Sequence, residues 1–175
     1  MPTPRILLFA LFALAAAVIS PARAQVIAFG ASNVSGRGVS SSEAFPAQLE
    51  TMLRAKGYSV SVTNAGVAGD GTQQMLARFD SAISSDARVV ILDIGGGLWN
   101  NHRLHVDPAQ GPADIAEMKA KLAARHIKVI DFHSSHGMPA AFFQPDGIHL
   151  TPEGHHLLAS RLLPLVARAL GPPGK

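Results

Sequence analysis

The sequence predicts an α/β fold in which helices cover both faces of a parallel β-sheet. Short apolar runs rich in β-branched residues alternate with longer segments whose apolar residues recur every three or four positions. Glycine-rich turns separate the two kinds of segment. A chain that alternates strand and helix in this way is typical of a parallel sheet with right-handed crossovers. Ligands of such folds bind at the carboxyl ends of the strands.

Four strands are predicted, over residues 26–29, 59–63, 88–94 and 127–132. Helices are predicted over residues 43–56, 72–84 and 113–126, and from residue 151 up to Gly171. Gly57 is a suitable left-handed cap for the first helix, and Thr151 followed by Pro152 is typical of a helix start. Pro164 predicts a kink or a break in the last helix. Residues 95–111 are expected to form a long irregular loop, and such loops are often functional.

The first 24 residues have the pattern of an export signal. Arg5 precedes an apolar run over residues 6–20, Pro21 interrupts it, and Ala22, Arg23 and Ala24 form a small-x-small cleavage site. We expect cleavage after Ala24 and a single domain over residues 25–175, in the periplasm or secreted. An uncleaved membrane anchor is the alternative, but the run is shorter than the roughly 20 apolar residues of a spanning helix. No stable membrane insertion is therefore expected after cleavage.

The composition excludes several classes of function. The chain has 15 Lys and Arg against 12 Asp and Glu, and because two of the arginines lie in the leader, the rest is nearly neutral. Such a balance gives no argument for nucleic-acid binding. The absence of cysteine excludes disulfides, metal thiolates and a cysteine nucleophile. No phosphate-binding glycine motif is present, so nucleotide chemistry has no support.

Eight histidines raise the alternative of a zinc or copper site, since three close pairs occur: His102 and His105, His133 and His136, His155 and His156. Spacing of this kind is weak evidence. Of the last pair, we expect one histidine to pack inside the protein and the other to be solvated. We expect no metal and no other cofactor.

Three segments near the expected sheet edge contain residues of the types that take part in catalysis. Ser32 follows the first strand, Gly69 lies in a glycine-rich turn after the second, and Asp146 precedes His149 by three residues. Each alone is commonly a plain turn or a helix cap. In combination they supply a nucleophile, backbone amides at a helix start and an imidazole that a carboxylate can orient.

These segments resemble blocks of the SGNH/GDSL hydrolases, in particular the small exported bacterial branch of thioesterase, lysophospholipase and arylesterase type. Residues 28–33 are similar to the first block, with Gly-Ala-Ser in place of Gly-Asp-Ser; residues 64–70 are similar to the second block and residues 146–149 to the last. The resemblance implies a three-layer, flavodoxin-like α/β/α fold. It also implies that Ser32 attacks a small-molecule acyl ester or thioester, with His149 as base, Asp146 as orienting acid, and the amides of Ser32 and Gly69 as oxyanion hole.

The third block of the family departs from the pattern here. A gapless alignment places Gly97 where the family has an asparagine that donates to the oxyanion, and the loss of one such donor typically costs about 10²- to 10³-fold in kcat. Two explanations compete. Asn100 or Asn101 supplies the amide instead, or the hole has two donors and the enzyme is slow or inactive. In the second case Gly97→Asn should raise kcat. A catalytically silent protein that binds an acyl or glycan ligand is the alternative function.

The chain is also short for this family after the third block, which predicts four parallel strands rather than five. Residues 133–144 then form an apolar segment near the site. The segment could hold an acyl chain, but packing at the sheet edge is the favoured interpretation.

Overall fold

The computed structural model describes residues 24–173. Its four strands are β1 (Ala24–Gly30), β2 (Val60–Gly66), β3 (Ala87–Asp93) and β4 (Lys128–Phe132). All three pairings are parallel and the strand order is β2-β1-β3-β4. The predicted four-stranded parallel sheet is therefore confirmed. The proposed signal peptide, residues 1–24, lies outside the described residues except for Ala24.

Seven α-helices and one 3-10 turn connect and cover the strands within this range. They are α1 (Ser32–Ser35), α2 (Phe45–Ala55), α3 (Thr72–Ala77), α4 (Phe79–Ala82), α5 (Ile94–Arg103), α6 (Gln110–Ala124), the 3-10 turn Ala140–Phe142 and α7 (Pro152–Leu170). In the part of the chain described, no helix is long and apolar enough to cross a bilayer.

Two apolar cores lie on opposite faces of the sheet, because side chains alternate along each strand. Val26 and Ala28 of β1 point into a core shared with α2 and α7. Ile27 and Phe29 point into a second core shared with α3, α4 and α6. The three-layer arrangement is therefore built by residues that are buried on both sides of β1 and β3.

The end of α2 and the start of α7 follow the predicted signals. Gly57 has a φ of 85°, and its N–H donates to the carbonyl of Arg54 at 2.9 Å. At the other helix, Thr151 Oγ1 accepts from the N–H of Gly154 at 3.1 Å, with Pro152 in the first turn.

Pro164 does not break α7, which is continuous from Pro152 to Leu170. Proline in a helix interior costs about 3 kcal/mol. Leu158 and Leu162 before it and Val166 after it are buried against the sheet, so both halves of the helix are anchored to the same core. Burial on both sides of Pro164 offsets the local cost.

The helix predicted over residues 72–84 is divided at Arg78 into α3 and α4. The guanidinium of Arg78 donates to Asp70 Oδ2 at 2.6 Å and to the carbonyls of Ala65 and Gly30 at 2.8 and 2.9 Å. It also lies 4.3 Å from the centre of the Phe29 ring. These contacts hold the ends of β1 and β2 together, which the uninterrupted apolar periodicity of the segment did not indicate.

His155 is fully buried in the first turn of α7, whereas His156 is exposed, as expected for this pair. The His155 ring stacks on Phe45 at 14° between ring planes, and its Nδ1 accepts from the Phe45 N–H at 3.3 Å. Burial lowers the pKa of His155 from 6.5 to about 4; Glu43 opposes the shift and His149 adds to it.

The unfolded chain therefore binds a proton at His155 below pH 6.5, while the folded protein does not do so until about pH 4. As the pH is lowered from 6.5 to about 4, protonation of His155 in the unfolded chain should therefore decrease the free energy of unfolding by about 3 kcal/mol. We expect His155→Gln to flatten the pH dependence measured by urea denaturation, and His156→Gln, one residue away, to retain it. An unchanged slope in His155→Gln would contradict this origin.

Candidate active site

Three loops meet at the carboxyl edge of the sheet, as expected for a parallel fold. Ser32 begins α1, two residues after the end of β1, and is half-buried. Gly69 lies in the loop between β2 and α3, and the N–H of Val67 in this loop donates to the carbonyl of Gly30 at 3.1 Å. Asp146 and His149 lie in the turn before α7. The β1 and β2 loops are thus joined directly.

Asp146 and His149 form a hydrogen-bonded pair. Asp146 Oδ2 lies 2.6 Å from His149 Nδ1, and Asp146 Oδ1 accepts from the backbone N–H groups of Ile148 and His149 at 2.9 and 3.0 Å. The backbone N–H and the side chain of His149, followed by the Ile148 N–H, hold the pKa of Asp146 well below its usual range. Since an ionised carboxylate only accepts hydrogen bonds, Nδ1 carries a proton, and in the neutral imidazole Nε2 is then the acceptor nitrogen.

A cavity of about 290 Å³ brings together the residues predicted from separate loops: Ser32, Gly69, Asp146 and His149. Gly69 has a φ of 93°, a conformation that favours glycine, and a Cβ built there would meet no atom within 4 Å. Backbone conformation and not crowding therefore accounts for glycine at this position. The cavity is small and concave, with a serine and an imidazole on its wall.

The prediction of a long irregular loop over residues 95–111 is wrong. Residues 94–103 form α5, and α6 begins at Gln110. The Asp93 side chain caps α5 by accepting from the Gly95 N–H at 3.2 Å. Three consecutive glycines indicate flexibility in a sequence, but here they allow close helix packing: a Cβ on Gly96 would lie 2.9 Å from Ala31 Cβ.

Gly97 does not face the cavity. It is buried in α5, and a Cβ built on it would lie 2.7 Å from Met75 Sδ and 3.3 Å from Thr72 Cγ2. A side chain at this position would therefore point toward α3. The expectation that an asparagine at position 97 supplies the missing donor does not hold in this geometry.

We expect Gly97→Asn to lower the free energy of unfolding by about 1–3 kcal/mol, the usual cost of overpacking, and not to raise kcat. Urea denaturation measures the change. Gly137→Asn is a matched control, since Gly137 has open space around it and asparagine tolerates its φ of 65°. An increase in kcat in Gly97→Asn, with unchanged stability, would contradict this expectation and support the gapless alignment, in which position 97 faces the oxyanion.

The structure separates the two candidate amides of α5. Asn100 is 5% exposed, lines the same cavity as Ser32, and donates from Nδ2 to the carbonyl of Asp70 at 2.8 Å. Asn101 is committed to α3: its Oδ1 accepts from the Thr72 N–H at 2.8 Å and its Nδ2 donates to Thr72 Oγ1 at 2.7 Å. Asn100 is therefore the residue of α5 that could contribute an amide to the site.

Asn33 was not assigned a role from the sequence, but it connects the loops. Its buried Nδ2 donates to Ser134 Oγ and to the Ile148 carbonyl, both at 3.2 Å, and its Oδ1 accepts from the Leu150 N–H at 3.1 Å. These bonds hold the residues on both sides of His149. Position next to Ser32 is the one sequence signal that could have drawn attention to Asn33.

Asp93 is a second buried polar residue beneath the site. Its Oδ1 accepts from the N–H groups of Gly95 and Ser134, both at 3.2 Å, and burial raises the pKa of its carboxyl. Its Oδ2 has no hydrogen-bond partner among residues 24–173. Asp93 thus joins the ends of β3 and β4 to the start of α5.

The apolar segment over residues 133–144 contributes both to packing and to the site. Met138 and Phe143 pack against the core beneath α7, as favoured from the sequence. Phe143 also lines a second cavity of about 260 Å³ next to Ser32.

As for metal ions, no group of three or more histidine and carboxylate side chains within the described range is arranged to hold one.

The sequence and the fold of this chain are similar to those of known proteins. Esterase TesA from Pseudomonas aeruginosa is 30% identical over 94 residues, which are 53% of this chain and 45% of that protein. The chain thus matches about half the length of this curated relative. A crystal structure of TesA, 21% identical, superposes with a TM-score of 0.71 over 83% of this chain and 99% of that one.

The esterase EstA from Pseudoalteromonas sp., solved inhibited by monoethylphosphonate, is 12% identical and superposes with the same TM-score of 0.71 over 83% of this chain and 98% of that one. These likenesses support the fold. The model of the GDSL-like lipase/acylhydrolase family matches residues 28–142, more than half of the chain, and ends before Asp146 and His149. The chain belongs to the GDSL-like lipase/acylhydrolase family.

Proposed function

We propose that the protein hydrolyses carboxylic ester or thioester bonds of small molecules through an acyl-enzyme on Ser32. The observation that carries the proposal is the shared cavity of Ser32, Gly69 and His149, with Asp146 hydrogen-bonded to the far side of the imidazole. This combination of nucleophile, oriented base and amides is the one required for acyl transfer to serine. The named relatives are esterases, which supports the same reaction class.

In the first half of the reaction, Ser32 Oγ forms a bond to the substrate carbonyl carbon, and His149 Nε2 takes the hydroxyl proton. His149 then gives this proton to the leaving oxygen or sulfur as its bond to the carbonyl carbon breaks. Asp146 keeps the imidazole oriented and stabilises its charged form. In the second half, a water molecule attacks the acyl-enzyme with its proton going to His149, and the acid leaves as Ser32 recovers a proton.

The negative charge on the carbonyl oxygen is stabilised by hydrogen-bond donors around it. We assign the backbone N–H groups of Ser32 and Gly69 to this role. The Nδ2 group of Asn100 has a second N–H besides the one given to Asp70, and we assign it as the third donor. Asn100 thus takes the place that the family alignment gave to position 97.

A fluorophosphonate probe tests the proposal. We expect one probe molecule per protein, attached at Ser32 by peptide mass spectrometry, and hydrolysis of short p-nitrophenyl esters that stops as labelling proceeds. A folded protein that neither labels nor hydrolyses these esters would instead be a silent member of the family that binds its ligand without reaction.

Export is part of the proposal and rests on the sequence pattern of residues 1–24. Cleavage after Ala24 leaves Gln25 to Gly30 of β1, and Val26 to Phe29, the buried apolar residues of that strand, are retained. The single domain would then begin at residue 25 and work in the periplasm or outside the cell. N-terminal sequencing of the protein recovered from a periplasmic extract tests the cleavage site.

A further inference from the structure

Two cavities meet at Ser32. The first, called the Arg cavity below, is the 290 Å³ cavity that holds His149 and Gly69, and Arg37 and Arg103 also line it. The second, called the Phe cavity, is the 260 Å³ cavity lined by Phe143 and the start of α5. Ser32, Trp99 and Ile148 line both. A substrate bound at Ser32 can therefore extend in two directions.

The Arg cavity carries an excess of positive charge. Arg37 and Arg103 are both exposed, and neither forms a salt bridge within residues 24–173. Arg103 gives one weak hydrogen bond, to Asn100 Oδ1 at 3.3 Å. Asp146 is the one carboxylate on the cavity wall, and its two oxygens already accept from His149 and from two backbone N–H groups. Both guanidinium groups are thus available to a ligand.

The position of His149 gives the substrate a direction. His149 lines the Arg cavity, and in the proposed reaction its Nε2 delivers a proton to the leaving group. The leaving alcohol or thiol must therefore lie on this side of Ser32. The acyl group then extends toward Phe143 and Trp99 in the Phe cavity.

We propose that the Arg cavity binds an anionic group, a phosphate or a carboxylate, on the leaving alcohol or thiol of the substrate, an inference that rests on the proposed function. A guanidinium presents paired N–H donors that match the oxygens of both anions. The preferred substrate class is thus an acyl ester or thioester whose leaving group is negatively charged.

Two esters with the same acyl chain test this preference: p-nitrophenyl butyrate and the same ester with a carboxylate on the nitrophenyl ring. We expect kcat/KM to favour the charged ester at low salt once corrected for the rates of both esters with hydroxide. The preference should disappear at roughly 1 M NaCl, where charges are screened within about 3 Å. Equal corrected values at low salt would overturn the inference.

Variants assign the preference to the two arginines. Arg37→Gln and Arg103→Gln should each lower the ratio of kcat/KM between the charged and neutral esters by about fivefold, the upper range for an exposed ion pair. Using the ratio cancels any effect on the reaction step. Arg168→Gln, on the exposed side of α7, is the matched control and should leave the ratio unchanged. A ratio that both cavity variants retain would contradict the proposal.

Equilibrium binding separates this inference from the proposed activity. Calorimetry with glycerol 3-phosphate, glycerate and glycerol should show binding of the phosphate or the carboxylate, and the stronger of the two identifies the anion. Glycerol should not bind, and Arg37→Gln combined with Arg103→Gln should abolish binding. Failure of all three to bind would overturn the anion site, whereas binding without hydrolysis or probe labelling would refute only the proposed activity.

Discussion

Replacing Ser32 by alanine is expected to lower kcat for p-nitrophenyl esters by about 10⁴-fold or more, because the acyl-enzyme can no longer form. The helix should be unaffected, since the Ser32 carbonyl, and not its hydroxyl, accepts from Ser35 Oγ at 2.8 Å and from the Arg37 N–H at 3.0 Å. Binding of substrate should persist. Steady-state kinetics and thermal unfolding of the variant measure the two effects separately.

Ser160→Ala is a suitable control, because Ser160 is an exposed serine on α7 that lines neither cavity at Ser32. It should keep both its rate and its reaction with a fluorophosphonate. If Ser32→Ala retained more than about one tenth of the wild-type kcat, the nucleophile would have to be another group, and the whole assignment of the cavity would fail.

Asn100→Ala should lower kcat by about 10²- to 10³-fold, about 2.7–4 kcal/mol of transition-state stabilisation, with a smaller effect on KM. A donor that acts on the oxyanion contributes more to the transition state than to the bound substrate. Asn100→Asp keeps the size of the side chain but cannot donate when ionised, so a similar loss is expected.

Asn101→Ala is the matched control on the same helix. Asn101 is equally buried, but both ends of its amide are bonded to Thr72. Its removal should lower the free energy of unfolding by about 1–3 kcal/mol through the unpaired groups left behind, with less loss of kcat than Asn100→Ala. If Asn100→Ala retained its kcat, the oxyanion hole would consist of the two backbone donors alone.

The sheet could be predicted from the sequence because its strands are buried on both faces. Runs such as Val89 to Leu92 are apolar throughout, a pattern that a central parallel strand requires. The residues of the cavity were also predictable, since Ser32, Gly69 and His149 each follow or precede an element at the same edge. Their approach in space is a consequence of the topology.

The start of α5 could not be predicted, because glycine occurs both in loops and at places where a helix packs closely against its neighbours. Gly95, Gly96 and Gly97 have low helix propensity, and local reasoning therefore favours a loop. In the fold they allow α5 to approach Ala31, Met75 and His133 closely, a tertiary requirement that no local pattern contains. The same misassignment hid the direction of Gly97 and left Asn100 and Asn101 equivalent.

Asn33, Arg78 and Asp93 were missed for a related reason. Each bonds to residues far away in the sequence, so its role depends on neighbours that only the folded chain provides. The predicted helix is divided at Arg78, whose guanidinium bonds to the ends of two strands, although the apolar period of the segment is regular. A polar side chain with such partners cannot be distinguished from a solvated one in the sequence alone.

The bonds of Asn33 also bear on how the protein acquires its chemistry during folding. They join residues separated by 101 to 117 positions, from α1 to the segments that precede α7. Contacts of such long sequence separation carry a high cost in chain entropy and tend to form slowly. A folding intermediate that has paired β1 with β2 and β3 would contain Ser32 without the residue that we propose as its base, His149. In the proposed mechanism, the chain would therefore become active only after the turn before α7 has docked on Asn33.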